Sequence, residues 1–181
     1  MAVIAIPSWK NLFLTGPSGA GKTTVLFRAL KELNVVAGGY VVKRVYHRGR
    51  LCAMDIVDLA GAGRARLLDL QDPGRPQANP EAFLTVGVSA IRRAMSDRLV
   101  IVVDEIGRFE LAAPLFLEAV TEALDFPLPV TGVLKQESNW FLDRIRSRAD
   151  VRIVEVSRDA REAAKTKYTA LLSKLLSNRP H

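Results

Sequence analysis

Cysteine and histidine are scarce in this sequence, and their scarcity excludes two kinds of stabilising site. Cys52 is the only cysteine among 181 residues, so no intrachain disulfide can form. His47 and His181 are the only histidines, and with one cysteine they are too few for a zinc site of the usual ligand count. Because 49% of the residues are hydrophobic, the chain can instead form an apolar core.

Long hydrophobic runs are also lacking. No apolar stretch approaches the roughly 18 residues that cross a bilayer. The N-terminal MAVIAIPSWK lacks the basic segment and the small-residue cleavage site of a secretory leader. We therefore expect a cytoplasmic protein that has no membrane partner. The length fits a single domain over residues 1–181, and the oligomeric state is left open.

The net charge is +7, which favours polyanionic partners but does not decide between nucleic acid and the phosphates of a nucleotide. A segment at 139–148 interleaves aromatic residues and arginines, as nucleic-acid surfaces do. However, Phe141 and Ile145 have the i, i+4 spacing of a helix face that packs into a core. Nucleic acid is therefore possible as a partner but not favoured.

Strands and helices alternate along the chain, which predicts a parallel α/β sheet. The run at 99–103, LVIVV, is apolar on both faces, as is typical of a central strand. The segment at 72–80 is dense in turn formers and is predicted to be a loop. The remaining predicted strands are 11–15, 40–46, 51–59, 129–134 and 151–156, with a hairpin turn at 47–50, and the predicted helices are 22–33, 81–95, 111–124, 139–148 and 160–176.

The first motif is GPSGAGKT at 16–23, which matches GxxxxGK(S/T) at every fixed position. It follows a predicted strand and opens a predicted helix, as a P-loop requires. Its backbone N–H groups can cradle phosphate oxygens, Lys22 can reach the β- and γ-phosphates, and Thr23 can bind Mg²⁺. The predicted nucleotide-binding residues here are Gly16, Pro17, Ser18, Gly19, Ala20, Gly21, Lys22, Thr23 and Thr24.

The second motif is the acidic pair that follows the strand at 99–103. Ligands of open α/β sheets bind at the carboxyl ends of the strands, so Asp104 and Glu105 are expected beside the P-loop. We predict that Asp104 holds Mg²⁺ and that Glu105 activates the attacking water. Arg108 either stabilises transition-state charge or lies on the surface. Glu110 either orients Arg108 or faces solvent, and we expect it to face solvent.

These motifs resemble a family of small nucleoside-triphosphatases first described in thermophiles, called cancer-related nucleoside triphosphatase in animals. The resemblance is carried by FLTGPSGAGKTT at 13–24, by DEIGRFEL at 104–111 and by the hairpin from Gly39 to DIVDLAG at 55–61. It implies a RecA-like P-loop sheet, mostly parallel, with helices on both faces and a β-hairpin insertion. It also implies Mg²⁺-dependent hydrolysis of ATP, GTP and other triphosphates to diphosphate and phosphate.

The chain departs from that family in its hairpin and near its C-terminus. Val42, Arg44 and Tyr46 stand where the family usually has threonine, glutamate and arginine. An asparagine-arginine-aspartate motif of the family corresponds to 160–162, where only Arg161 keeps its type. The resemblance thus implies that Arg161 contacts the nucleotide.

Two other functions remain open from the residues alone. One is a kinase for a small molecule or nucleotide, in which Arg64 and Arg66 could form part of a lid. The other is a non-catalytic regulator that binds nucleotide and then RNA or protein. No TKxD-type guanine-reading segment follows Val130, so we expect loose base preference.

Overall fold

A computed structural model describes residues 9–72, 75–98 and 100–177, and its centre is one eight-stranded sheet. The strand order is β5-β4-β3-β2-β6-β7-β1-β8. The strands are β1 (Asn11–Thr15), β2 (Ala37–His47), β3 (Arg50–Asp58), β4 (Arg64–Asp69), β5 (Gln77–Ala78), β6 (Val100–Ile106), β7 (Val130–Leu134) and β8 (Val151–Glu155).

Five neighbouring strands, β2, β6, β7, β1 and β8, are parallel. The sequence accounts for their central position, because β7 is buried along its whole length and β6 at every residue except Glu105. Strands that are apolar on both faces must be covered on both faces. Since the five strands run the same way, their carboxyl ends meet at one edge of the sheet.

Helices cover both faces, as predicted. On one face α1 (Lys22–Glu32) and α5 (Arg161–Ser177) pack over a core that includes Leu26 and Tyr168. The opposite face holds a π-helical segment (Phe83–Val88), α2 (Ser89–Asp97), a 3₁₀ turn (Phe109–Ala112), α3 (Pro114–Asp125) and α4 (Trp140–Arg146). Phe141 and Ile145 of α4 are buried, so their assignment to the core is confirmed.

The β2–β3 hairpin was predicted, but its extension into β4 and β5 was not. Both added strands are antiparallel to their neighbours. Arg64 and Arg66 lie on β4, where both guanidinium groups pair with the buried carboxylate of Asp55 on β3. These ion pairs hold β4 against the hairpin, and the suggestion that Arg64 and Arg66 form part of a lid stays a prediction.

Some predicted boundaries also change. The segment at 72–80 is not entirely a loop, because Gln77 and Ala78 pair with β4, while residues 73 and 74 lie outside the described residues. Leu99 of the predicted strand also lies outside them, and β6 extends beyond the prediction to Ile106. Asp104 and Glu105 thus lie near the end of β6 rather than after the strand.

Candidate active site

The phosphate loop connects β1 to α1 as predicted. Gly21 caps the helix in the left-handed conformation, with a φ of 93°, which a residue with a side chain adopts only with strain. The Lys22 ammonium donates hydrogen bonds to the carbonyl oxygens of Gly16 and Pro17, both at 2.8 Å. Lys22 is buried, and this burial lowers its pKa. The lysine charge is therefore held over the loop and is available to an anion.

Asp104 faces the first turn of α1 from the end of β6. The Thr23 hydroxyl donates a hydrogen bond to Asp104 Oδ1 at 3.2 Å. Asp104 Oδ2 is buried and accepts no hydrogen bond from the described residues. Burial, together with the nearby charge of Glu105, raises the pKa of Asp104 to about 7. A fully buried carboxylate with an unsatisfied oxygen is expected to have a partner that supplies positive charge.

Glu105 has a different environment from its neighbour. The pairing of β6 with β7 passes from Asp104 directly to Ile106, so Glu105 is left out of the ladder; the Asp104–Glu105 peptide bond is cis. The Glu105 side chain is 24% exposed, and its Oε1 lies 3.2 Å from the ammonium of Lys135. Glu105 is thus partly exposed to solvent, whereas Asp104 is fully buried.

Lys135 is a site residue that sequence reasoning missed. It follows β7 directly, so it is the first polar side chain after a buried strand. The same rule that located Asp104 and Glu105 at the carboxyl edge of the sheet could have located Lys135.

A cavity of about 640 Å³ opens beside these groups. Its lining includes phosphate-loop residues and Glu105, and part of the lining is apolar. The apolar part consists of Phe27, Val41, Val42, Met54 and Leu59. Lys43 and Arg44 of the hairpin also line the cavity. The hairpin is therefore part of the site and does more than extend the sheet.

Glu110 and Arg108 of the DEIGRFEL segment lie in different environments. Glu110 was expected to face solvent, and that expectation is wrong. Its side chain is buried, accepts a hydrogen bond from the Gly107 amide at 2.9 Å and has its pKa raised to about 7 by burial. Arg108 is exposed, and its guanidinium lies 5.3 Å from the centre of the Phe109 ring. Among the described residues that line the cavity, Arg108 is absent.

Arg161 lies over the phosphate loop from the start of α5. A Cβ atom placed on Gly21 would come within 2.8 Å of Arg161 Cδ, so the two residues are in close contact. Arg158 lies similarly near Gly19, where an added Cβ would be 3.5 Å from its Nη2. The fold thus brings two arginines to the side of the loop that α5 covers.

The residues at the end of β6 fit a magnesium ion. Mg²⁺ prefers oxygen ligands and keeps several waters, so it needs only one or two protein groups. Thr23 offers a hydroxyl and Asp104 a carboxylate, and the buried Oδ2 of Asp104 has no other partner among the described residues. Bound Mg²⁺ would also favour the charged form of Asp104 against the cost of burial.

The strand–loop–helix unit, the lysine over the loop and the acidic residue at the end of the next-but-one strand define a P-loop nucleotide-binding protein. The sequence matches the NTPase family over residues 11–169. The chain belongs to this family, so the predictions of the family, of its fold and of nucleoside-triphosphatase activity are confirmed.

Relatives of known name agree with this assignment. The nucleoside-triphosphatase THEP1 of Thermotoga sp. (strain RQ2) is 31% identical over 171 residues, which cover 92% of this chain and 94% of the relative. The cancer-related nucleoside-triphosphatase of Homo sapiens is 31% identical over 172 residues, which cover 84% and 90% of the two chains.

Solved structures agree as well. The solution structure of a human cancer-related nucleoside triphosphatase superposes with a TM-score of 0.77 at 27% identity, covering 94% of this chain and all of that one. The crystal structure of THEP1 from Aquifex aeolicus superposes with a TM-score of 0.75 at 22% identity, covering 90% of this chain and 98% of that one, and supports the fold.

No helix among the described residues is long and apolar enough to cross a membrane. The cytoplasmic location stays a prediction.

Proposed function

We propose that the chain hydrolyses nucleoside triphosphates in a Mg²⁺-dependent reaction carried out by Lys22, Thr23, Asp104 and Glu105. One observation carries the proposal. The Thr23 hydroxyl and the buried Asp104 carboxylate are 3.2 Å apart beside a lysine-bearing phosphate loop, and Asp104 Oδ2 has no partner among the described residues. This is the arrangement in which a magnesium triphosphate would be bound.

Lys22 and the loop would bind the phosphates. The lysine ammonium now donates to two loop carbonyls, and a triphosphate offers it stronger, charged acceptors. The N–H groups at the start of α1 add the positive end of the helix dipole. Arg161, which contacts Gly21, is proposed to contact the nucleotide from the α5 side.

Thr23 and Asp104 would hold the metal. Bound Mg²⁺ supplies positive charge at the β- and γ-phosphate oxygens and so stabilises the charge that develops on them. Thr23 would hold the ion through its hydroxyl, and Asp104 would hold it through its carboxylate, directly or through bound water. Because burial raises the pKa of Asp104 to about 7, this function is favoured above neutral pH.

Glu105 would orient the attacking water and accept a proton from it. The water oxygen forms a bond to the γ-phosphorus while the bond to the β–γ bridging oxygen breaks, which gives diphosphate and phosphate. Glu105 is partly exposed at the cavity and is paired with Lys135 at 3.2 Å. The pairing with Lys135 fixes the position of the Glu105 carboxylate, and the water must approach that carboxylate. Arg108 stays a candidate only through the sequence pattern.

The proposal is tested by phosphate release from ATP with purified protein, with Mg²⁺ and with excess EDTA, and without any acceptor or RNA. Release should require Mg²⁺, and Lys22→Ala should abolish it while the fold persists by circular dichroism. Lys31→Ala is the matched control, because Lys31 is an exposed lysine on the same helix. If Lys22→Ala hydrolyses ATP at the parental rate, the loop at 16–23 does not bind the phosphates as proposed.

A further inference from the structure

Arg44 of the β2–β3 hairpin contacts the phosphate loop directly. Its Nη2 donates a hydrogen bond to Ser18 Oγ at 3.3 Å, across 26 residues of sequence. Ser18 is the third residue of the loop motif. This contact brings a guanidinium group from the antiparallel part of the sheet to the loop that binds phosphate.

The charge of Arg44 is free to act on a ligand. The side chain is exposed, and no carboxylate among the described residues pairs with it. It lines the same cavity as Lys22, Thr23 and Glu105. Its positive charge is also near enough to contribute to the lowered pKa of Lys22, although burial is the larger cause. Two positive charges that line one cavity favour an anionic ligand there.

Other arginines near the site are placed differently. Arg108 lies against the Phe109 ring and not along the cavity. Arg158 and Arg161 approach Gly19 and Gly21 from the side covered by α5. Arg44 instead approaches from the β2 side, where the cavity also contains Glu105, the proposed base. The hairpin arginine and the catalytic carboxylate thus share one cavity.

From this geometry we infer that Arg44 is a catalytic residue, an arginine supplied by the chain's own hairpin that contacts the γ-phosphate and stabilises its charge in the transition state. This inference rests on the proposed function and assigns the chain a catalytic group beyond Lys22, Asp104 and Glu105. The planar guanidinium offers several N–H donors to phosphate oxygens, and it can exchange the neutral Ser18 hydroxyl for a charged acceptor. Arginines with this function in P-loop hydrolases accelerate turnover by about 10³- to 10⁵-fold.

The test compares Arg44→Ala with Arg44→Lys and with Arg50→Ala, which removes an exposed arginine from the same hairpin outside this cavity. Arg44→Ala should lower kcat about 10²-fold or more. Arg44→Lys should recover only part of the rate, because an ammonium lacks the fork of donors. Arg50→Ala should leave kcat within about twofold of the parent, since it lies outside the site.

A binding measurement separates catalysis from a structural function. With Mg²⁺, Arg44→Ala should bind fluorescent ADP as the parent does but should lose the tighter binding of ADP with aluminium fluoride, a transition-state mimic. If Arg44→Ala weakens ADP binding and analogue binding equally, Arg44 only fastens the hairpin to the loop. If its rate equals the parental rate while Lys22→Ala is inactive, this inference fails and the proposed function stands. If Lys22→Ala is also active, the proposed function itself fails.

Discussion

At the scale of single residues, two adjacent carboxylates have been given opposite environments. Asp104 is fully buried and Glu105 is partly exposed, because Glu105 is left out of the β6–β7 ladder. A buried carboxylate with an unsatisfied oxygen fits a metal ligand. A partly exposed carboxylate beside a lysine fits a base that must reach water. The two residues can therefore be separated by experiment.

We predict that Glu105→Gln keeps binding of Mg²⁺ and nucleotide but lowers kcat by about 10²- to 10⁴-fold. Glutamine retains the shape and a hydrogen-bonding carbonyl, but it cannot accept the proton of the attacking water. The measurement is phosphate release beside a fluorescent nucleotide titration. Glu118→Gln, at an exposed position of α3, is the control for loss of one negative charge.

For Asp104→Asn we predict a weaker response to Mg²⁺, seen as a higher metal concentration at half-maximal rate. The amide retains an oxygen ligand but loses the charge that attracts the ion. If Asp104→Asn lowers only kcat while Glu105→Gln loses binding of Mg²⁺ and nucleotide, then Glu105 holds the metal and Asp104 is the base. Should neither variant change the rate, this edge of the sheet does not contain the catalytic site.

The burial of Glu110 predicts a pH-dependent stability. Its folded pKa is raised from 4.5 to about 7, so the folded protein holds this proton more tightly than the unfolded chain. The stabilisation is complete below about pH 4.5 and is lost as the pH rises through about 7. Its upper limit is about 3 kcal/mol, from 1.36 kcal/mol per pKa unit.

Glu110→Gln should therefore reduce the fall in unfolding free energy between pH 5 and pH 8. The Glu110 carboxylate accepts a hydrogen bond from the Gly107 amide. The side-chain carbonyl of glutamine can accept the same hydrogen bond, and glutamine does not ionise in this pH range. Urea unfolding at pH 5 and at pH 8, without Mg²⁺, measures how steeply the unfolding free energy changes with pH. Asp104 gives a slope of the same sign, so the difference from the parent is the relevant quantity. An unchanged slope would show that Glu110 does not ionise in this range.

At the scale of elements, the close spacing of β6 and β7 depends on a residue without a side chain. A Cβ atom on Gly132 would lie 2.0 Å from the carbonyl oxygen of Val103, which is part of β6. The backbones of β6 and β7 would have to move apart to accept this Cβ atom, and that movement would disturb the site at the ends of the two strands. Glycine is therefore required at this position for packing.

We predict that Gly132→Ala lowers the free energy of unfolding by about 3 kcal/mol or more. Gly63→Ala is the matched control, since a Cβ there would meet the two methyl groups of Val86 at 3.5 and 3.8 Å, which are ordinary contacts. Chemical denaturation of both variants gives the comparison. Equal stability of the two would mean that the central strands can separate at little cost.

At the scale of the whole molecule, we propose a site that recognises phosphate and metal more than a particular base. The first polar residue after β7 is Lys135, which pairs with Glu105 and does not begin a guanine-reading segment. Arg161 and Arg158 lie near the loop on the α5 side, where their guanidinium groups can meet phosphate oxygens.

We accordingly predict that kcat/KM for ATP and for GTP differ by no more than about tenfold, which corresponds to about 1.4 kcal/mol. Steady-state phosphate release with ATP, GTP, CTP and UTP at saturating Mg²⁺ measures the ratio. A hundredfold preference for one triphosphate would contradict the prediction and would require a dedicated base pocket.

The sequence by itself determined the parts whose chemistry lies in contiguous residues. The eight-residue loop motif at 16–23 and the apolar run before Asp104 are each complete over a short segment. Such segments carry their own local conformation and their own hydrophobic pattern, so the strand, the loop and the helix could be predicted together. The parallel central sheet then followed from alternating strands and helices.

Only the tertiary structure decided which distant groups meet. Lys135 with Glu105, Arg44 with Ser18 and the β4 arginines with Asp55 are contacts between separate elements. Glu110 lies in the same segment as Asp104, yet its burial depends on the 3₁₀ turn that folds it back onto Gly107. Side-chain type and local periodicity do not encode these distances, because strand register and packing across the sheet set them.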